Sequence, residues 1–263
     1  MTEQISVLLP MVRDSKWLGE TVASLVAQTH EDWLLIAVLD GDCEQNRAIL
    51  AHPALAGRVR IDVMQERSGV ATALNKGLAS ARTQFVARLD ADDICEPHRL
   101  ERQLEVMKSR RDLQVLGSAA TLIDEDGAPI GMRTPPVGAK RLRRRLLWRN
   151  SLIHPSTMLR RDAVEKVGGY NTLVERAQDY DLWLRLSSHG PLDNVPEPLL
   201  RYRIHGDQHS RPITGRAESN IIKHARRKAA SSAWGASVLA DARHHVWFSY
   251  QHLQAWRRRR AAS

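Results

Sequence analysis

The nine residues Phe85-Val86-Ala87-Arg88-Leu89-Asp90-Ala91-Asp92-Asp93 constrain this chain more than any other stretch. The first five read as a buried strand, and three carboxylates follow at once. An Asp-x-Asp at the end of a strand sets acidic side chains at the carboxyl edge of a sheet, where open α/β sheets bind their ligands. Carboxylates this close repel one another, so the cluster calls for a cation. Aspartate oxygens suit hard divalent ions such as Mg²⁺ or Mn²⁺. Such an ion could join the protein to a diphosphate. The plain alternative is a solvated acidic turn that caps the helix beginning near Pro97.

What precedes the cluster favours a sheet. Apolar runs at residues 5–9, 33–39 and 59–64 read as short buried strands. Between them, residues 16–28, 44–50 and 70–81 carry helical spacing. Strands alternating with helices in this way predict βαβ units and a mostly parallel sheet. After Asp93 the pattern loosens. It predicts a helix over 97–109, a strand over 113–123, a turn at 124–127 and a basic amphipathic helix over 138–148. A short strand over 156–159 follows, then a helix ended by Gly168-Gly169. Asp179 stands at the amino end of a helix over 180–188, and a last strand over 199–204 runs into His205.

Charge separates the end of the chain from the rest. The chain has 263 residues and a net charge of +9. Residues 216–263 hold ten Lys or Arg and two acidic residues, a net +8, which leaves +1 for residues 1–215. In this tail Trp234, Trp247, Phe248 and Trp256 alternate with His244, His245 and His252, and Arg257 to Arg260 close it. Its helical spacing suits an anionic membrane surface, a helical hairpin packed on the chain's own domain, or a dimer contact. No base-reading motif accompanies the charge, so nucleic acid is not expected. No apolar run reaches the ~18–20 residues of a membrane span. The amino terminus lacks a basic n-region, and the two cysteines, Cys43 and Cys95, suit a reducing compartment. The expected setting is cytoplasmic, at most peripheral to the inner face of the plasma membrane.

Seven stretches, in this order, carry a resemblance: Ser6-Val7-Leu8-Leu9-Pro10, Ala73-Leu74-Asn75-Lys76-Gly77, Leu89-Asp90-Ala91-Asp92-Asp93, His154-Pro155-Ser156, Gly168-Gly169-Tyr170, Asp179-Tyr180-Asp181-Leu182-Trp183 and Tyr202-Arg203-Ile204-His205. Over about residues 4–210 the chain resembles the family 2 inverting glycosyltransferases of GT-A fold. The resemblance implies a GT-A domain over residues 1–215, with a nucleotide-sugar half (1–110), an acceptor half (111–215) and the helical tail appended. Pro10, Val12, Asp40, Arg67, Asn75, Lys76, Asp90, Ala91 and Asp92 would then bind the nucleotide sugar, a UDP-sugar in the first instance. Asp90, Asp92 and His205 would hold Mn²⁺ or Mg²⁺. Asp179 would be the general base, and His154, Gly168, Gly169, Gln178 and Asp181 would meet a glycan or lipid-linked acceptor. Two positions depart from the family pattern. Leu39-Asp40-Gly41-Asp42 lacks the first of two usual aspartates, and Gln178 replaces the usual glutamate. The competing readings are a nucleotidyltransferase on a similar sheet and a catalytically silent scaffold. The first lacks the expected Gly-rich phosphate loop after strand one. The sugar, the acceptor linkage and the oligomeric state stay open.

Overall fold

The computed structural model describes residues 4–11, 14–206, 216–234 and 237–261. For residues 216, 231–234, 237–241 and 257–261 it describes the backbone alone. Val12 lies outside the described residues, as do the side chains of Trp234 and Arg257 to Arg260.

The elements run β1 (Ile5–Met11), α1 (Leu18–Val26), β2 (Trp33–Asp40), α2 (Glu44–Leu50), β3 (Val59–Met64), α3 (Val70–Ser80), β4 (Phe85–Arg88), β5 (Ile94–Cys95) and α4 (Arg99–Ser109). They continue β6 (Val115–Ile123), β7 (Pro129–Arg133), α5 (Ala139–Leu146), β8 (Met158–Arg160), α6 (Arg161–Lys166), α7 (Gln178–Leu186), β9 (Leu192–Arg203), α8 (Arg216–Trp234) and α9 (Ser237–Ala261). The strands form one sheet in the order β3-β2-β1-β4-β8-β6-β9-β5, with β7 paired to β6. Parallel pairing runs from β3 through β4. The β6–β9 pair is also parallel, and β8, β7 and β5 pair antiparallel.

Period-two alternation explains why both faces are covered. Leu8, Ile36, Val38 and Val86 point into one core with α3, α5, α7 and the tail helices. Val7, Leu9, Leu35, Ala37, Leu39 and Ala87 point into the other with α1, α2 and α4. Gly77 lets α3 sit close on the sheet, because a Cβ there would lie 2.1 Å from Leu8 Cδ1.

Several elements differ from the sequence expectation, each for a physical reason. Residues 154–156 form a 3₁₀ turn, and the strand begins only at Met158. Pro155 fixes the turn, and Ser156 Oγ bonds Ile153 O at 2.9 Å. Strand β9 starts at Leu192, seven residues before the expected point. Pro196 and Pro198 hid it. They sit where its register against β6 shifts, as a bulge allows. Strand β7 is exposed throughout and β5 is two residues long, so neither had an apolar signature.

The tail is an integral layer. Ile222, Ala225, Ala229 and Trp247 are buried in the same core as Tyr180 and Trp183. Packing of the tail on the chain's own domain is thus observed. Gly235, where the sequence predicts a helix break, lies outside the described residues. Among the described residues no helix is long and apolar enough to cross a membrane.

Candidate active site

Strands β1, β2 and β4 run parallel, so their carboxyl ends share one edge. A cavity of about 1520 Å³ opens there, reaching from Pro10 and Arg67 past Asp90, Ala91 and Asp92 to Asp179 and helix α9. A smaller pocket beside it holds Asp40, Gly41 and Asp42, and Met11, Asp14 and Arg67 line both.

The acidic cluster is built on the exit of β4. Asp90 accepts from Arg88 Nη2 at 2.6 Å. Asp92 accepts from His205 Nε2 at 2.8 Å, which brings the end of β9 against the end of β4. Asp93 is buried, and its Oδ1 accepts from Arg203 N at 2.9 Å. Burial, then the Asp90 charge, raises the Asp92 carboxyl, and His205 opposes the shift. Burial and both neighbouring carboxylates push Asp93 well above the usual range. Ligand oxygens of Asp90, Asp92 and Asp93 lie within 4.8 Å of one another. Asp93 Oδ2 is buried without a partner. An all-carboxylate set with an orphaned buried oxygen fits a hard divalent cation. The aromatic floor under His205 is Trp17, with ring centroids 4.5 Å apart.

Across the cavity, α7 begins after Ala177, which is held in the left-handed region at φ 57°. That conformation is costly for a residue with a Cβ, and it sits two residues before Asp179. Asp179 Oδ2 accepts from Asn150 Nδ2 at 2.6 Å, and Oδ1 accepts from Tyr180 N at 2.7 Å. Burial raises this carboxyl, while the two hydrogen bonds and the Arg133 charge pull it back. The result is a carboxylate that faces a cavity and holds a proton more readily than a solvated one, as a base for a hydroxyl requires.

The comparisons bear on this geometry. The family described as Glycosyl transferase family 2 matches residues 6–168. The chain belongs to glycosyltransferase family 2. It is 34% identical over 212 residues to the O-antigen biosynthesis glycosyltransferase WbnJ of Escherichia coli, covering 77% of this chain and 80% of that one. It is 30% identical over 222 residues to the amylovoran biosynthesis glycosyltransferase AmsE of Erwinia amylovora, covering 83% and 81%. Its fold is similar to that of S. aureus TarS 1-349 in complex with UDP-GlcNAc, at TM-score 0.74 and 16% identity, covering 95% of this chain and 73% of that one. The fold is thus GT-A-like, and the protein is a glycosyltransferase.

Not every expected residue of this glycosyltransferase reaches the cavity. Pro10, Arg67, Asp90, Ala91, Asp92, His154, Gln178, Asp179 and His205 line it. Asp40 is 3% exposed, and its oxygens accept from Ser68 N at 2.7 Å and Gly69 N at 2.8 Å. It therefore fixes the loop that opens α3, and it borders only the smaller pocket. Asn75 is spent on the chain after α6. It exchanges hydrogen bonds of 2.8 Å with the Tyr170 backbone N–H and C=O. Lys76 is exposed outside the cavity. Gly168 and Gly169 shape that same turn, with φ of 80° and 71°, and do not line the cavity. Asp181 points into the core, bound to Arg185 at 2.7 Å. His154 meets Tyr170 Oη at 2.8 Å, and burial with the Arg88 charge keeps its ring neutral.

Other residues on the wall had no motif to announce them. Arg88 is buried beside Asp90, and it also donates to Leu89 O. Arg133, Trp148, Arg149 and Asn150 come from β7 and the segment after α5. Val246, Trp247, Tyr250, Gln251 and Gln254 come from α9. The tail therefore closes the cavity on the Asp179 side. Its i, i+4 spacing was legible, but which face met the domain was not.

Proposed function

We propose that this glycosyltransferase moves a sugar from a UDP-sugar to a hydroxyl of a glycan or lipid-linked acceptor, with inversion, in a single displacement. The observation that carries the reading is that one cavity is lined both by Asp90 and Asp92 of the acidic cluster and by Asp179. The name of the TarS structure, with UDP-GlcNAc bound, is consistent with a UDP-linked donor.

In this reading Pro10, Arg67 and the loop held by Asp40 take the nucleotide. Asp90, Asp92, Asp93 and His205 would hold Mg²⁺ or Mn²⁺, which when bound would offset the charge of the diphosphate. His205 already donates to Asp92, so it orients that carboxylate. Asp179 takes the proton of the acceptor hydroxyl as its oxygen bonds the anomeric carbon. The bond from that carbon to the diphosphate breaks on the opposite face, and UDP departs with the electron pair. Asn150 and the Tyr180 N–H keep the Asp179 oxygens aimed at the acceptor.

The same reading sets the enzyme at an anionic membrane surface. Val246, Tyr250, Leu253 and Trp256 are exposed on α9, and Trp148 is exposed beside them. Arg141, Arg144, Arg145 and Arg149 are exposed on α5 and just after it. Exposed apolar groups rimmed by cations suit an anionic interface. Sedimentation with phosphatidylglycerol vesicles, and none with phosphatidylcholine, is the expected result. Equal recovery with both lipids would remove the membrane from the proposal.

Thermal shift with UDP, GDP and dTDP, each with and without Mn²⁺, tests the donor class, since a ligand of the folded state raises its stability. The expected outcome is a Mn²⁺-dependent rise with UDP, lost in Asp92→Ala. No rise with any nucleotide, or a rise that Asp92→Ala retains, would overturn the assignment.

A further inference from the structure

The tail holds a buried cation with no acidic partner among the described residues. Arg226 of α8 is 0% exposed. Its Nε and Nη2 donate to Tyr180 Oη at 3.0 and 2.8 Å. Nη2 also donates to Trp148 O at 3.3 Å, and Nη1 meets His244 Nδ1 at 3.2 Å. The guanidinium lies over the Trp247 ring, 4.4 Å from its centroid. Tyr180 Oη in turn donates to Leu146 O at 2.6 Å. Every one of these partners is neutral or aromatic. Burial of an arginine without a carboxylate is expensive, and a fold seeking stability alone would do better with an apolar side chain of that size.

The two segments that Arg226 grips are the two that hold Asp179. Tyr180 follows Asp179 and supplies the N–H to its Oδ1. Trp148 lies two residues before Asn150, which supplies the hydrogen bond to Oδ2. One planar guanidinium, with donors fixed in a fork, thus ties the start of α7 to the segment after α5. A base must stay within hydrogen-bond reach of the proton it takes, and a displacement of about 1 Å can cost about 10²-fold.

We infer that Arg226 is a positioning residue of the reaction. Through Tyr180 and Trp148 it holds Asn150 and Asp179 in register, so the C-terminal hairpin completes the catalytic site. The inference rests on Asp179 as the base. The other titratable or charged groups facing Asp179 are Arg133 from β7, Tyr170 from the turn after α6 and Tyr180 itself.

The test compares wild type with Arg226→Met, Asn150→Ala and the double variant, with Tyr180→Phe as a milder second probe. UDP release is followed with whichever of UDP-GlcNAc, UDP-glucose and UDP-galactose the wild type turns over. Arg226→Met is expected to lower kcat about 10- to 100-fold, with the donor KM within about two-fold. The acidic limb of its kcat profile should move to higher pH, because the Asn150 bond that favours the carboxylate form loosens. The double variant should be no worse than the poorer single one, as for groups acting in one chain. Tyr180→Phe should move kcat in the same direction by a smaller factor. A ¹³C titration of the Asp179 carboxyl, run without substrate, separates this inference from the assigned reaction. It should show the same upward displacement in Arg226→Met as in Asn150→Ala. An unchanged titration in Arg226→Met, or fully additive losses in the double variant, would overturn the role. If Arg226→Met does not fold, an unaltered Asp179 titration in Tyr180→Phe overturns it equally.

Discussion

The two walls of the cavity, assigned in our proposal to the donor and to the acceptor, are made in different ways. On the wall assigned to the donor, most groups stand at or beside the ends of parallel strands, with Arg67 on a loop and His205 after β9. Pro10 is on β1, Asp40 closes β2, and Asp90 to Asp93 follow β4. Neighbouring strands set the spacing, so the site follows from the sheet itself. The acceptor side has no such frame. Arg133, Trp148 to Asn150, Ala177 to Asp179 and one face of α9 come from four separate stretches. They are brought together by side-chain bonds, such as Asn150 to Asp179 and Arg226 to Tyr180. The strand-end site should tolerate change in its surroundings, and the assembled one should not.

The strongest way to sharpen that contrast is to silence the two sides separately. Asp179→Asn is expected to lower turnover by about 10²–10⁴, the usual share of a general base, while Mn²⁺-dependent UDP binding stays intact. Asp92→Ala should do the reverse to binding. It should abolish the thermal rise with UDP, which is worth about 2.7 kcal/mol at a hundredfold excess over Kd. If either substitution removed both properties equally, the two sides would not be separable.

A third prediction concerns the turn that joins the sides. Gly169 has φ 71°, and a Cβ there would lie 2.6 Å from Asn75 Oδ1. Gly169→Ala should destabilise the fold by about 1–3 kcal/mol in denaturant titration. An unchanged midpoint would mean that Asn75 does not pin this turn. The smallest effect is on pH. Burial raises the Asp179 carboxyl, and a general base, the role proposed for it, works only when ionised. Activity should therefore fall, as pH drops, through a value above the ordinary aspartate pKa of about 3.9. A half-activity point at or below that value would contradict the burial argument.

The same contrast explains what was legible in the sequence. Strand β3, marked by an apolar run, and the short polar helix α2 were expected with the bounds they have. The acidic cluster was legible because its chemistry is local: one strand and three carboxylates. Asp179 was named through resemblance, but its hydrogen-bond partner Asn150 was not, since 29 residues separate them and no pattern links the two. Asn75 and Asp181 were expected at substrate and are instead committed to Tyr170 and Arg185. A sequence shows that a side chain is polar, and only the packed structure shows which polar partner it already has. The tail makes the point most plainly. Its charge suggested an appendage, whereas Arg226 is buried against Tyr180, the residue after Asp179, and α9 walls the cavity.

The most direct test of the central claim measures two things on Asp179→Asn: UDP binding by calorimetry with Mn²⁺, and UDP release from the donor that the wild type uses. The expected result is binding within about two-fold of wild type and release reduced by at least about 10². Release at the wild-type rate, or binding lost together with release, would contradict a cavity in which one wall holds the nucleotide and the other takes the proton.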